Sequence, residues 1–169
     1  VEDGSRWNVN VRYSREDPVQ LLGTGGAVVN AIPMLENIFF TLYGDSYLPI
    51  DYSKIVSAFK RDSDDAMMSV FRNEGRWDTS NVRVENGMVD FYSKTALSSQ
   101  VDHIDYGMTG FHRHQIEAYL GATMPLDLSQ IQDELVRQGR MRAFEVRERF
   151  YEVGKPKGLA ELEVFLKRH

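Results

Sequence analysis

Apolar and polar positions along the chain fall into runs of two periods. "WNVNVRY" (7–13) alternates as a half-exposed strand does. "LLGTGGAVVNAIPMLEN" follows, a glycine-rich turn and then a helical pattern through Ala27, Val28, Ala31 and Leu35, with Pro33 marking a bend or the final turn. "IFFTLYG" (38–44) is continuously apolar, the pattern of a strand covered on both faces. "DYSKIVSAFKRDSD" reads as a helix with Asp51 as N-cap and Ile55, Val56 and Phe59 on one face. "AMMSVFRN" (66–73) is a further buried strand. Strand, helix, strand, helix, strand is the order of a parallel α/β layer.

The second half differs. "NVRVENGMVDFYSK" (81–94) predicts a hairpin, because Asn86-Gly87 suits a two-residue turn. "HIDYGMTGFH" (103–112) predicts a strand with interior glycines. "PLDLSQIQDELVRQGRM" holds a helix capped by Asp127, with Ile131, Leu135 and Val136 inward and Gly139 as terminator. "RAFEVRERFYEVG" alternates as a strand, and "KGLAELEVFLKRH" closes the chain as an amphipathic helix. The expected architecture is one α/β domain over residues 1–169, its later strands partly antiparallel.

Composition narrows the function classes. A chain of 169 residues can bury one real core. With 42% hydrophobic and 27% charged residues it reads as globular, and its longest apolar runs are too short to span a bilayer. Cysteine is absent, so disulfides, thiolate catalysis and Cys-based zinc sites are excluded, and a cytoplasmic setting is expected. The net charge of −5, without a Lys/Arg cluster before the last residues, argues against nucleic-acid binding. An acidic protein that handles phosphates needs a cation to do so.

The run 38–44 ends at Gly44-Asp45-Ser46. Ligands of open α/β sheets bind beyond the carboxyl ends of strands, so Asp45 is either a metal or substrate ligand or a turn-capping Asp. His112-x-His114 would share a strand face, but no third ligand stands nearby in sequence for zinc. Met67 and Met68 read as core filling.

Four stretches, "LLGTGGAVVNAI", "YGDSYL", "HIDYGM" and "RFYEVGKPKGL", with "SNVRVENGMVDFYSK" between the second and third, occur in the order and spacing of the sugar-phosphate nucleotidyltransferases. The chain resembles that family over nearly its whole length, and most resembles the branch that loads mannose- or heptose-type sugar 1-phosphates onto a nucleotide. The resemblance implies a Rossmann-like, GT-A-like mixed sheet flanked by helices. It also implies attack of a sugar 1-phosphate on a nucleoside triphosphate, with Mg2+ neutralising the phosphates. On this resemblance Asp45 is a metal ligand. Glu152 takes the place of the second metal carboxylate, where the family commonly has Asp; the competing reading is a strand-edge acid facing Arg147 or Arg149. Lys94 matches a lysine that contacts the sugar phosphate, against the plainer reading of a solvated surface charge. Asp105 and Gly107 match an Asn-x-Gly motif at the sugar hydroxyls, with Ser80 and Asn81 nearby. Gly23, Thr24, Gly25 and Gly26 match the loop beside the base, and Gly44 flanks the metal aspartate; glycines at 23–26 also suit a plain strand-to-helix connection.

The family's opening loop, of the Gly-x-Gly-Thr-Arg-Leu kind, has no counterpart in the sequence; Val1 falls shortly before the family's third strand. The chain is therefore expected to be truncated at its N-terminus relative to the family, and weak or inactive as an enzyme by itself. The alternative is a non-catalytic binding or assembly module with the same fold. An open sheet edge beside residues 38–44 is expected, covered either by 7–13 or by a second copy in a homodimer.

Overall fold

The computed structural model describes residues 2–59, 64–77, 79–94 and 101–168. Six strands form one mixed sheet in the order β1-β6-β3-β7-β5-β4: β1 Ile38–Leu42, β3 Ala66–Arg72, β4 Val82–Glu85, β5 Met88–Tyr92, β6 His103–His112 and β7 Met141–Val146. A separate ribbon pairs β2 (Ser46–Tyr47) with β8 (Tyr151–Glu152). The α-helices are α1 Gly23–Ala31, α2 Tyr52–Phe59, α3 Arg113–Glu117, α4 Leu128–Arg137 and α5 Pro156–Leu166. The mixed α/β sheet flanked by helices matches the expected class.

Side-chain alternation along β3 divides the interior into two cores. Met68 and Val70 join Val29, Ile116, Ile131 and Leu135 on the side covered by α1, α3 and α4. Met67 and Phe71 join Ile55, Phe59 and Met108 on the side covered by α2. Each large apolar side chain buried this way contributes roughly 1.5–3 kcal/mol. Both faces of the sheet are covered, which is why 66–72 is apolar at nearly every position.

Local signals are realised closely. Asn86 and Gly87 have φ of 51° and 78°, as a two-residue hairpin turn of the primed kind demands. Asp127 caps α4 by accepting from the Ser129 amide at 2.8 Å, and Gly139 takes φ 67° just beyond the helix. Asp51 accepts from the Ser53 amide at 3.0 Å at the start of α2.

Four expectations need correction. Residues 7–13 form no strand: Ser5–Trp7 is a 3-10 turn, and the Val9 and Val11 amides bond back to Gly4 and Asp3. Alternation specifies a strand only where a neighbour offers unpaired backbone, and here local partners satisfy it first. The strand from 38 stops at Leu42 and lies at the sheet edge; Phe39 packs on one core and Ile38 and Phe40 on the other, so both faces are covered as expected, but only in part. The first strands are not a contiguous parallel layer. β6 inserts between β1 and β3, antiparallel to both, and the direct parallel pair is β3–β7. The stretch 142–154 splits into β7 and β8 in different sheets.

Candidate functional site

Beyond Leu42 the chain turns at Tyr43-Gly44-Asp45 and enters β2. Ser46 pairs with Glu152 across the ribbon, and the Val153 amide donates to the Asp45 carbonyl at 2.8 Å. This short ribbon brings together two acids that are remote in sequence. A β-carbon on Gly154 would sit 3.4 Å from Asp45 Oδ2 and 3.8 Å from Glu152 Oε1, so both carboxylates converge on one point. Among the described residues neither side chain has a hydrogen bond or an ion pair. Asp45 is therefore not a turn-capping residue. Nor does Glu152 face Arg149 as an ion pair: Arg149 bonds to Glu161 and stacks on Trp77, 3.8 Å from the ring centre.

Both acids line a cavity of about 520 Å³ together with Lys94, Ser80, Asn81, Asp105 and Gly107. The floor is rigid. Asn81 Oδ1 accepts from the Asp105 amide at 2.9 Å, tying the start of the hairpin to β6. Asp105 Oδ1 accepts from the Gly107 amide at 3.0 Å, and its Oδ2 lies 3.3 Å from the Tyr92 hydroxyl. Gly107 has φ 97°, a conformation side chains resist, and it leaves open the floor beside Tyr43 and Ser46. Burial raises the Asp105 carboxyl above the ordinary range, opposed by the Gly107 amide, Tyr92 and Lys94. Burial and the negative charges of Asp105, Asp127 and Asp45 likewise raise Tyr43. Ser80 accepts from Asn73 Nδ2 at 3.1 Å, and Asn73, itself buried, also holds the Trp77 amide.

Lys94 does not project freely into solvent. Its Nζ lies 2.9 Å from Asp127 Oδ1 and 6.0 Å from the centre of the Tyr43 ring. Burial works against Asp127, but the hydrogen bonds from Lys94 and Ser129 outweigh it and hold the carboxyl at about 2. Sequence reading took Asp127 as a helix cap alone. It had no signal for this second role, which depends on a hairpin end and a helix start meeting in space. Tyr43 and Tyr92, both cavity-lining, were missed for the same reason.

The glycine stretch lies elsewhere. The Gly25 and Gly26 amides donate to the Leu126 carbonyl at 2.8 and 3.1 Å, and Thr24 Oγ1 accepts from the Leu128 amide at 2.9 Å. A β-carbon on Gly23 would approach that Leu126 oxygen to 2.5 Å, and one on Gly26 would meet Met124 Sδ at 2.6 Å. These glycines let α1 press against the segment that carries Asp127. Gly23, Gly25 and Gly26 line none of the cavity that holds the carboxylates; Thr24 and Gly44 line a separate apolar groove with Val28, Phe40 and Leu42.

His112 and His114 do not share a strand face, because β6 ends at His112 and α3 begins at Arg113. Both approach Asp64, His114 Nε2 to 3.3 Å. Among the described residues no three His, Asp or Glu side chains, these included, are arranged so that they could hold a metal ion.

No family model and no curated protein matches the sequence. Solved structures do. A candidate glucose-1-phosphate thymidylyltransferase from Bacillus anthracis, in complex with a sucrose, superposes with a TM-score of 0.82 at 14% identity, over 97% of this chain and 68% of that one. The fold is that of a sugar-phosphate nucleotidyltransferase. HddC from Yersinia pseudotuberculosis superposes with a TM-score of 0.72 at 24% identity, over 94% of this chain and 68% of its own. A second HddC structure is complexed with GMP-PN. The inositol-1-phosphate CTP transferase of T. maritima gives 0.72 at 20% identity, over 90% and 64%. The chain thus spans about two thirds of these nucleotidyltransferase-fold structures. Among its described residues no helix is long and apolar enough to cross a membrane.

Proposed function

We propose that the chain is a sugar-1-phosphate nucleotidyltransferase-like protein whose cavity takes a sugar 1-phosphate and a nucleotide. In the reaction an oxygen of the sugar phosphate attacks the α-phosphorus of a nucleoside triphosphate. A new P–O bond forms, the bond to the bridging oxygen breaks, and pyrophosphate leaves. Two polyanions must meet in line, so positioning and charge neutralisation carry the catalysis. The observation that carries this reading is the pair of unpartnered carboxylates, Asp45 and Glu152, converging from distant positions beside a polar cavity. Mg2+ is commonly held by one or two carboxylates with water and substrate phosphates, and this pair fits that need. Bound there, the ion would neutralise phosphate charge. Lys94 would contact the sugar phosphate once a ligand competes with Asp127, while Ser80, Asn81 and Asp105 would meet hydroxyls above Gly107. The neighbours named for sugar phosphates, and the one holding GMP-PN, support the class of ligand. The mannose- or heptose-type branch is part of the proposal.

The second reading, a binding module without turnover, is favoured by the cavity's charge. Asp45, Asp105 and Glu152 face Lys94, and that ammonium already has Asp127 as a partner. Little among the described lining residues would offset a triphosphate. Pyrophosphate release with Mg2+, measured over GTP, CTP, UTP and dTTP with hexose and heptose 1-phosphates, separates the two. For this chain alone we expect turnover far below ordinary enzyme rates of about 10 per second, with Mg2+-dependent sugar-phosphate binding retained. Turnover at ordinary rates would overturn the second reading; absence of both turnover and binding would overturn the first. The β1 edge, which pairs with β6 alone among the described strands, is where a second copy would extend the sheet. A strictly monomeric mass at micromolar concentration would remove the homodimer from the proposal.

A further inference from the structure

On the far side of Phe150 and Glu152 from the acidic cavity lies a depression of about 300 Å³ with the opposite charge. Its cations are Arg76, Arg149, Lys155 and Lys157, set against Glu152 and Glu161. Three of these cations have acidic partners: Arg149 bonds to Glu161, Arg76 lies 2.6 Å from Glu74, and Lys157 stands at a looser 4.0 Å from the same Glu161. Lys155 forms no ion pair among the described residues. Positive charge is therefore in excess.

The depression is held in shape on both sides. Buried Asn73 accepts from the Trp77 amide at 3.0 Å through its side chain and from the Arg76 amide at 3.0 Å through its carbonyl. Arg149 sits over the Trp77 ring, its Cζ 3.8 Å from the centre, which holds the indole while leaving it half exposed. On the other wall Gly158 lets the first turn of α5 press against β8, where a β-carbon would fall 1.8 Å from the Glu152 carbonyl oxygen. That contact seats the segment bearing Lys155 and Lys157 against the rim. Excess cations on hydrogen-bonded backbone, with a guanidinium held over an aromatic ring, suit a phosphoryl group better than a single carboxylate.

We propose that this depression is an anion subsite that binds phosphoryl groups, as free pyrophosphate or as the phosphate of a ligand reaching over the Phe150–Glu152 ridge. It goes beyond the functional reading above and does not depend on Asp45.

Trp7 and Trp77 are the tryptophans of the chain, so Trp7→Phe leaves Trp77 as the reporter. Pyrophosphate without divalent cation, at constant ionic strength, should change Trp77 emission saturably with a roughly millimolar or tighter midpoint, matched by calorimetry. Lys155→Gln with Lys157→Gln should weaken binding about tenfold or more, while Asp45→Asn should leave it unchanged. Both lysines are on the surface, and an unaltered melting temperature shows the variant folded. Saturation by pyrophosphate alone assigns the site to the free anion; saturation by sugar 1-phosphate as well, lost in Asp45→Asn, assigns it to a bridging ligand. No saturable response in either measurement, or equal binding by the double-lysine variant, overturns the proposal.

Discussion

Gly23–Gly26 and Gly44-Asp45 look alike as sequence, small residues at the join of an element and a turn, yet the fold uses them in contrary ways. The first stretch is hemmed in: a β-carbon on Gly23, Gly25 or Gly26 would strike the segment 124–128. A β-carbon on Gly44 would meet nothing within 4 Å, and the neighbouring carboxylate has no partner among the described residues. Crowding around a glycine marks backbone that must approach backbone. An unsatisfied charge beside an uncrowded one leaves room for a ligand, which is the site proposed above. The two regions are nonetheless connected, because the segment pressed by the first bears Asp127, which holds Lys94 at the second.

The contrast can be broken most sharply at Asp45. Asp45→Asn or Glu152→Gln should weaken Mg2+-dependent sugar-phosphate binding by on the order of a hundredfold, about 2.7 kcal/mol, with the melting temperature held or slightly raised. An unchanged affinity in calorimetry would detach the carboxylates from the ligand. Next in size, Gly23→Ala should cost about 1–3 kcal/mol in urea unfolding, because φ is 76° and Leu126 is in the way. Gly44→Ala should stay within about 0.5 kcal/mol, and equal effects at both positions would dissolve the distinction.

The smallest effect is a pH dependence. The folded-state pKa of Asp127 is about 2, below its ordinary value of 3.8, so its contribution is present above pH 3.8 and lost as pH falls toward 2. Its side chain is 47% exposed, so solvent screens the pair and the loss is well under about 1 kcal/mol. Asp127→Asn, which keeps a capping side chain, should flatten that acid limb of the stability profile; a limb of unchanged slope would show that Lys94 contributes nothing there.

What could be read from sequence follows the range of the forces involved. The 86–87 turn, the α4 cap and the extent of β6 depend on residues a few positions apart, and the sequence pattern located them. The insertion of β6 between β1 and β3 depends on pairing over long separations, which periodicity does not encode. Residues 7–13 carried the right alternation without a partner to use it. At the site, resemblance led to Asp45, Glu152, Lys94 and Asp105, and all four line one cavity. It also led to Gly23, Gly25 and Gly26, which pack away from that cavity, since resemblance records that a glycine is needed and not what crowds it.

The β2–β8 ribbon joins Asp45 to Glu152 through only two residue pairs. So slight a zipper can open while the six-stranded sheet stays whole. β8 follows all six strands of the main sheet in the sequence, so a chain emerging from synthesis can close this clasp only last. Amide exchange at Val153, whose donor reaches the Asp45 carbonyl, would then be an occupancy gauge, slowing when an ion and its phosphate fasten the two arms together.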